Sequence, residues 1–222
     1  MKTITMMLLS MGLAASVQAA SIKVKTSAGA VSVPSGYTLL AEAAGDLTRD
    51  GQAELVLVWD TGEEGELGTA REVRIYRQEQ QQWRLWHKSQ GAVLSSQHGG
   101  MMGDPFVGIE IKNHTLVIDH FGGSRHKWSY THRYRWQQDD WYLIGATIGF
   151  GAVCDKQSLY DYNLSTGAMK VRITEDDCED EGAGQDQRYA YRLARKALPK
   201  MAGFYPGEHK LVLPNKALVV YY

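Results

Sequence analysis

The chain of 222 residues lacks most of the signatures that would assign it a chemistry. It holds no G-x-S-x-G elbow, no H-E-x-x-H pair, no phosphate-binding glycine loop and no dinucleotide fingerprint. Beyond the first twenty residues, no apolar run approaches the roughly eighteen that a membrane-spanning helix needs. Cysteine is scarce, two in all, with neither a C-x-x-C redox pair nor a zinc spacing. Net charge is nearly absent too: 24 Lys and Arg against 25 Asp and Glu give −1, which argues against general nucleic-acid binding. Phenylalanine is thin, four against twelve Tyr and six Trp, so aromatic burial must lean on rings that carry a polar end.

What is present begins with a leader. Lys2, the apolar stretch Met6 to Val17 and the small residues of Val17-Gln18-Ala19 read as a secretory signal peptide cleaved after Ala19. No Cys lies near that site, so no lipid anchor is expected. Removing Lys2 with the leader takes the formal charge from −1 to −2. The product expected is a single β-rich domain over 20–222, periplasmic or secreted. In such a compartment the even pair Cys154 and Cys178 suggests a disulfide. Closing a loop of about 25 residues would remove unfolded-state entropy worth roughly 3 kcal/mol. Two buried free thiols are the alternative.

The strongest local pattern is Trp128 to Phe150. Trp128, Tyr130, His132, Tyr134 and Trp136 alternate with Ser129, Thr131, Arg133 and Arg135, the period-2 signature of a strand with one apolar and one wet side. The polar tetrad Gln137 to Asp140 turns the chain, and Trp141, Leu143 and Gly145 resume the pattern. Arg74-Ile75-Tyr76-Arg77, a Gln-rich turn and Trp83-x-Leu85 repeat that design about 58 residues earlier. Further hairpins are expected over Ile22 to Val33, across Asn113-His114, and across Ser165-Thr166-Gly167. Thr61 to Gly68 reads as an exposed acidic loop and Gly91 to Gly108 as an unpatterned surface loop. Arg188 to Leu198 carries Leu193, Ala194, Ala197 and Leu198 on one helical face before Pro199, although Tyr189 and Tyr191 also suit a strand. The fold class is therefore all-β and mainly antiparallel: a meander of hairpins closing as a propeller-like array, sandwich or barrel, with that one short C-terminal helix.

Between Gly45 and Asp60, Asp46, Thr48 and Asp50 alternate, Gly51 follows, and Glu54 precedes the apolar run Leu55 to Trp59. Asp46 to Val58 resembles the D-x-[DN]-x-D-G-x-x-[DE] loop of FG-GAP or VCBS-type repeats, within a loose group of exported bacterial β-proteins of unassigned function. The resemblance implies a Ca²⁺ site carried by Asp46, Asp50 and Glu54. Thr48 and Glu54 depart from the pattern, and Leu57 stands where an EF-hand would place its bidentate Glu. The competing reading is a β-turn in which Asp46 caps its own backbone.

Other candidates are less specific. Six acids crowd Glu175 to Glu181, namely Glu175, Asp176, Asp177, Glu179, Asp180 and Glu181, and must be solvated, cation-bound or faced by a basic partner. Arg125 and Arg133 could grip carboxylates or phosphates. His114, His120, His126 and His132 recur every six residues, with His98, Met101 and Met102 upstream; copper ligation and unrelated positions are the two readings. The aromatic seam is either core or a platform on which sugar rings stack. Two function classes follow. One is a non-enzymatic exported binding protein, in one version an inhibitor or immunity-type protein that blocks a basic site with its acidic run. The other is a hydrolase of envelope glycan or peptidoglycan that uses a carboxylate pair.

Overall fold

A computed structural model describes residues 21–175, 178, 185–214 and 218–222; the expected leader lies outside them. The chain opens with a hairpin of β1 (Ser21–Thr26) and β2 (Gly29–Pro34). A four-stranded meander follows, of β3 (Thr38–Gly45), β4 (Glu54–Gly65), β5 (Gly68–Glu79) and β6 (Gln82–Gln90). After a 3-10 turn at Gly100–Met102, a seven-stranded meander runs through β7 (Phe106–Lys112), β8 (Thr115–Gly123), β9 (Lys127–Gln137) and β10 (Asp140–Gly151). It continues through β11 (Lys156–Asn163), β12 (Ala168–Glu175) and β13 (Gln185–Arg192). A short pair, β14 (Lys210–Val212) and β15 (Val219–Tyr221), ends the chain. In every sheet the spatial order is the sequence order, and all the strand pairs are antiparallel. The architecture is all-β and sandwich-like, without a closed barrel.

Alternation decides which side chains fill the space between the two large sheets. On β4, Val56 and Val58 point into a core shared with Val73 and Ile75 of β5, Leu116 and Ile118 of β8, and Leu143, Ala146 and Ile148 of β10. The intervening Leu55, Leu57 and Trp59 point the other way, onto Val31 and Val33 of the opening hairpin. The run Leu55 to Trp59 is thus buried on both faces, as an unbroken apolar strand should be.

The two hairpins of like design meet through tryptophan. Trp86 of β6 lies 4.3 Å from Trp136 of β9 and 5.7 Å from Trp141 of β10, and the Arg77 guanidinium sits 3.3 Å over the Trp86 ring. Their turns share a backbone as well: Gln80 and Gln81 (φ 49° and 61°) match Gln138 and Asp139 (φ 50° and 57°). Paired left-handed residues are the turn that a right-twisted hairpin prefers, but neither Gln is suited to it. Replacing Gln80-Gln81 with Asn-Gly is expected to stabilise the protein by about 1 kcal/mol, because the new pair adopts this geometry without strain. A urea midpoint that stays put or falls would refute it.

Two expectations are corrected. Residues Arg188–Leu198 form no helix: β13 pairs with β12 from Gln185↔Glu175 to Arg192↔Ala168, and the chain after Arg192 is irregular. The edge of β12 offers a ladder of hydrogen bonds, and Tyr189 and Tyr191, two apart, both pack on the core with rings 6.4 Å from each other. A four-residue helical face could not outweigh that. The acidic stretch Thr61 to Gly68 is exposed for the most part, but it is a two-stranded ribbon rather than a loop, re-paired at Glu64↔Thr69 and Gly65↔Gly68 beyond a bulge.

The C-terminal segment completes the site described next. β11 pairs with β10 only from Gly145 onward, so the first half of β10 has a free edge, which 199–201 fills. The Leu143 amide donates to the Pro199 carbonyl (2.9 Å) and the Met201 amide to the Trp141 carbonyl (2.8 Å). The tail then returns across the core, with Phe204 buried.

Candidate functional site

The aromatic seam of β9 is buried at one end and only partly buried at the other. At its inner end His132 and Tyr134 are fully buried, and Phe204 packs edge-on to both rings, at 5.0 and 6.0 Å. Toward the start of the strand the burial loosens, and Tyr130 and Trp128 are only half-buried. The rings form a slipped stack along one side of the strand: Trp128 to Tyr130 at 5.1 Å, Tyr130 to His132 at 5.5 Å. The seam therefore runs from solvent into the core.

Where it emerges, Trp128 and Tyr130 divide a cleft into two chambers. One, of about 340 Å³, is bounded by Leu94, His98 and the Tyr205–Glu208 turn. The other, of about 300 Å³, is bounded by Phe150 of β10, Tyr160 of β11 and Val219–Tyr221 of β15. Five aromatic side chains besides Trp128 thus line the two chambers. Gly122 on β8 sets the tilt of the indole, because a Cβ there would fall 2.3 Å from Trp128 Cζ2. Burial raises the Tyr130 hydroxyl above its ordinary pKa, so it stays protonated as a donor. Glu208 is the one carboxylate among the described residues that line either chamber. The arrangement suits binding of flat or ring-shaped groups by stacking.

The residues singled out from sequence are scattered elsewhere. In the β3–β4 loop, Asp46 Oδ1 accepts the Arg49 amide (2.6 Å) and Oδ2 the Gly51 amide (3.1 Å), and Asp50 Oδ1 accepts the Gln52 amide (2.8 Å). Glu54 is buried, accepting the Leu47 amide (2.8 Å) and the Thr48 hydroxyl (3.2 Å), with Arg77 Nε at 3.4 Å. Desolvation works against the Asp46 carboxylate, yet the amides of Arg49 and Gly51 outweigh it and hold its pKa below the usual range. These oxygens close a turn on its own backbone, and as a donor set they do not fit a resident Ca²⁺. Among the described residues no three His, Cys, Asp or Glu converge to hold a metal.

The other acids and the bases do not assemble either. Glu175 ends β12, 3.5 Å from Lys156 Nζ, and Asp176, Asp177, Glu179, Asp180 and Glu181 lie outside the described residues. Arg125 is exposed in the β8–β9 connection. Arg133 projects from the outer face of the seven-stranded sheet and donates to Thr147 Oγ1 (3.0 Å). The histidines at six-residue intervals part company: His120 and His132 point into the core, whereas His114 contacts the Asp46 loop and His126 pairs with Asp155 at 3.4 Å. Met101 is 87 % exposed. Cys154 and Cys178 form a disulfide that ties the β10–β11 connection to the segment after β12.

Sequence reading found Trp128 and Tyr130 but missed the opposite wall. Tyr205 and Glu208 belong to an irregular stretch without periodicity, Tyr221 to the short strand β15, and Leu94 and His98 to the glycine-rich stretch whose first four residues, Gly91 to Leu94, prove to be buried. Turn composition at Tyr205-Pro206-Gly207 was the one signal available. No helix among the described residues is long and apolar enough to cross a membrane. No family model matches the chain, and no curated protein matches it in sequence.

Proposed function

We propose that this protein is a non-catalytic binding module that acts outside the cytoplasm and takes a glycan into the aromatic cleft. The observation that carries this reading is the placement of Trp128 and Tyr130, half-buried and shared by two chambers that are otherwise walled by Phe150, Tyr160, Tyr205 and Tyr221. A sugar ring has apolar C–H faces and a polar rim; Trp and Tyr match the faces, and His98, Glu208 and the Tyr130 hydroxyl can serve the rim. The lone carboxylate favours holding the ligand over hydrolysing it. The leader and the disulfide support an oxidising, extracytoplasmic compartment.

The test is calorimetric titration of the mature protein with a chitin tetrasaccharide. Binding without release of shorter products is expected. Trp128→Ala should weaken it roughly ten- to a hundredfold, the order of loss seen when an aromatic anchor of a binding site is truncated. Its melting temperature should change little, since the ring lies outside the buried core cluster. Unchanged affinity in Trp128→Ala, or steady turnover of the oligosaccharide, would reject the reading.

A further inference from the structure

The outer face of the seven-stranded sheet carries a groove that the cleft does not explain. Strand register places Phe121, Ser129, Gly149, Leu159 and Arg172 side by side on five consecutive strands, β8 to β12. Directly paired residues project from the same face, so these five form one transverse row. Its middle is almost bare. Ser129 and Gly149 make a floor, with Gly151 in the next row, and a Cβ on Gly149 would sit 2.5 Å from Ser129 Oγ. Phe121 and Leu159 stand as walls, 38 % and 47 % exposed, on a face where the adjoining row is Asp119, Thr131, Thr147 and Asp161. The space between is about 490 Å³. Arg172 stands beside it, held by both oxygens of Asp186 at 3.1 Å.

This groove and the inner cleft share lining residues. Trp128, Gly149 and Phe150 line the groove and also the chamber against β15. They lie where β9 begins and β10 ends, an end of the sheet at which these two neighbours are not connected by a turn. The His126 ring stacks on Phe150 (5.8 Å, 13° between planes) and faces Asp155, so the β8–β9 and β10–β11 connections frame the passage. Phe150 itself is 53 % exposed, an aromatic ring standing at the crossing.

We propose that the outer groove is a second subsite for the same ligand, which makes that ligand an extended chain of sugar rings rather than a single small sugar. The inference rests on the glycan reading above. One stretch of the chain occupies the cleft at Trp128 and Tyr130, the next crosses Phe150, and a further ring settles on the glycine floor between Phe121 and Leu159. There Ser129 and Gln157 can bond ring hydroxyls, and Arg172 offers donors at the far rim. Linked subsites convert the second contact into an intramolecular one, so affinity must climb with chain length until both are filled.

The experiment titrates the mature protein with chitin oligosaccharides from the disaccharide to the octasaccharide. Affinity should rise tenfold or more across the series. The double variant Phe121→Ala/Leu159→Ala should lose that gain while keeping the wild-type affinity for the disaccharide; both side chains are exposed, and an unchanged melting temperature verifies the fold. Equal affinity for short and long chains in the wild type overturns the second subsite and leaves the cleft reading standing. Retention of the full length dependence by the double variant overturns it too. Absence of binding at every length overturns both the groove and the cleft.

Discussion

Acidification from pH 7 to pH 4.5 is expected to remove about 5 kcal/mol of folding stability, through two core imidazoles that resist protonation. Burial, the main cause, drives the pKa of both His120 and His132 down to about 3, and the Arg133 guanidinium beside His132 works in the same direction. The Leu94 amide donates to His120 Nε2 (3.2 Å), which places the proton on Nδ1; that nitrogen and both nitrogens of His132 have no hydrogen-bond partner. Above the unfolded value of about 6.5 both imidazoles are neutral, folded or not, and nothing is lost. Between there and about 3 the unfolded chain takes up protons that the folded core excludes, so stability falls as the pH falls. Each imidazole contributes about 1.4 kcal/mol per pH unit in that window. Urea midpoints at the two pH values measure the loss. His132→Phe should keep the stack on Tyr130 and the edge contact with Phe204 and remove about half of the pH dependence; an undiminished slope would assign the effect to other groups.

Glu72→Ala is expected to destabilise the protein by about 3–5 kcal/mol, because it strands a buried cation. Glu72 and Arg74 lie two apart on β5, on the face covered by the opening hairpin, and are 1 % and 6 % exposed. Arg74 Nε donates to Glu72 Oε1 at 2.5 Å, and the guanidinium lies 4.9 Å over the Tyr37 ring. With the carboxylate gone, no other acid among the described residues pairs with the guanidinium, and the hairpin must lift or admit water. Glu72→Leu combined with Arg74→Met should recover most of the loss, since an apolar pair of similar volume needs no compensation. A single-variant loss below about 1 kcal/mol would mean that solvent already screens the pair.

Much of this architecture was legible in the chain. Strict alternation from Trp128 to Trp136 could be nothing but a strand, and the uninterrupted Leu55 to Trp59 announced one buried on both sides. What escaped depends on partners that periodicity does not reveal. The Arg188–Leu198 stretch carries a weak helical pattern, and the open ladder of β12 overrode it. The acids of the Asp46 loop have the spacing of cation ligands, but their oxygens turn to amides within hydrogen-bonding reach, a choice that spacing alone leaves open. The seam posed a choice between core and platform because sequence fixes the side of a strand and not the depth along it. The outer groove was invisible for a related reason: Phe121, Gly149 and Leu159 become neighbours only once the register of four strands is known.

Because every strand pairs with the one before or after it, assembly can keep pace with delivery. Closing a ribbon between adjacent segments takes on the order of microseconds, and short separations keep the search small. A polypeptide appearing amino end first, from a ribosome or a translocation pore, could zip β3 to β6 while β9 is still out of reach. The last step would be different in kind: Pro199 and Met201 must come back to the free margin of β10, and 205–208 and 219–221 must wall the cleft. Ligand capture would then be a late competence, available only once these residues have arrived.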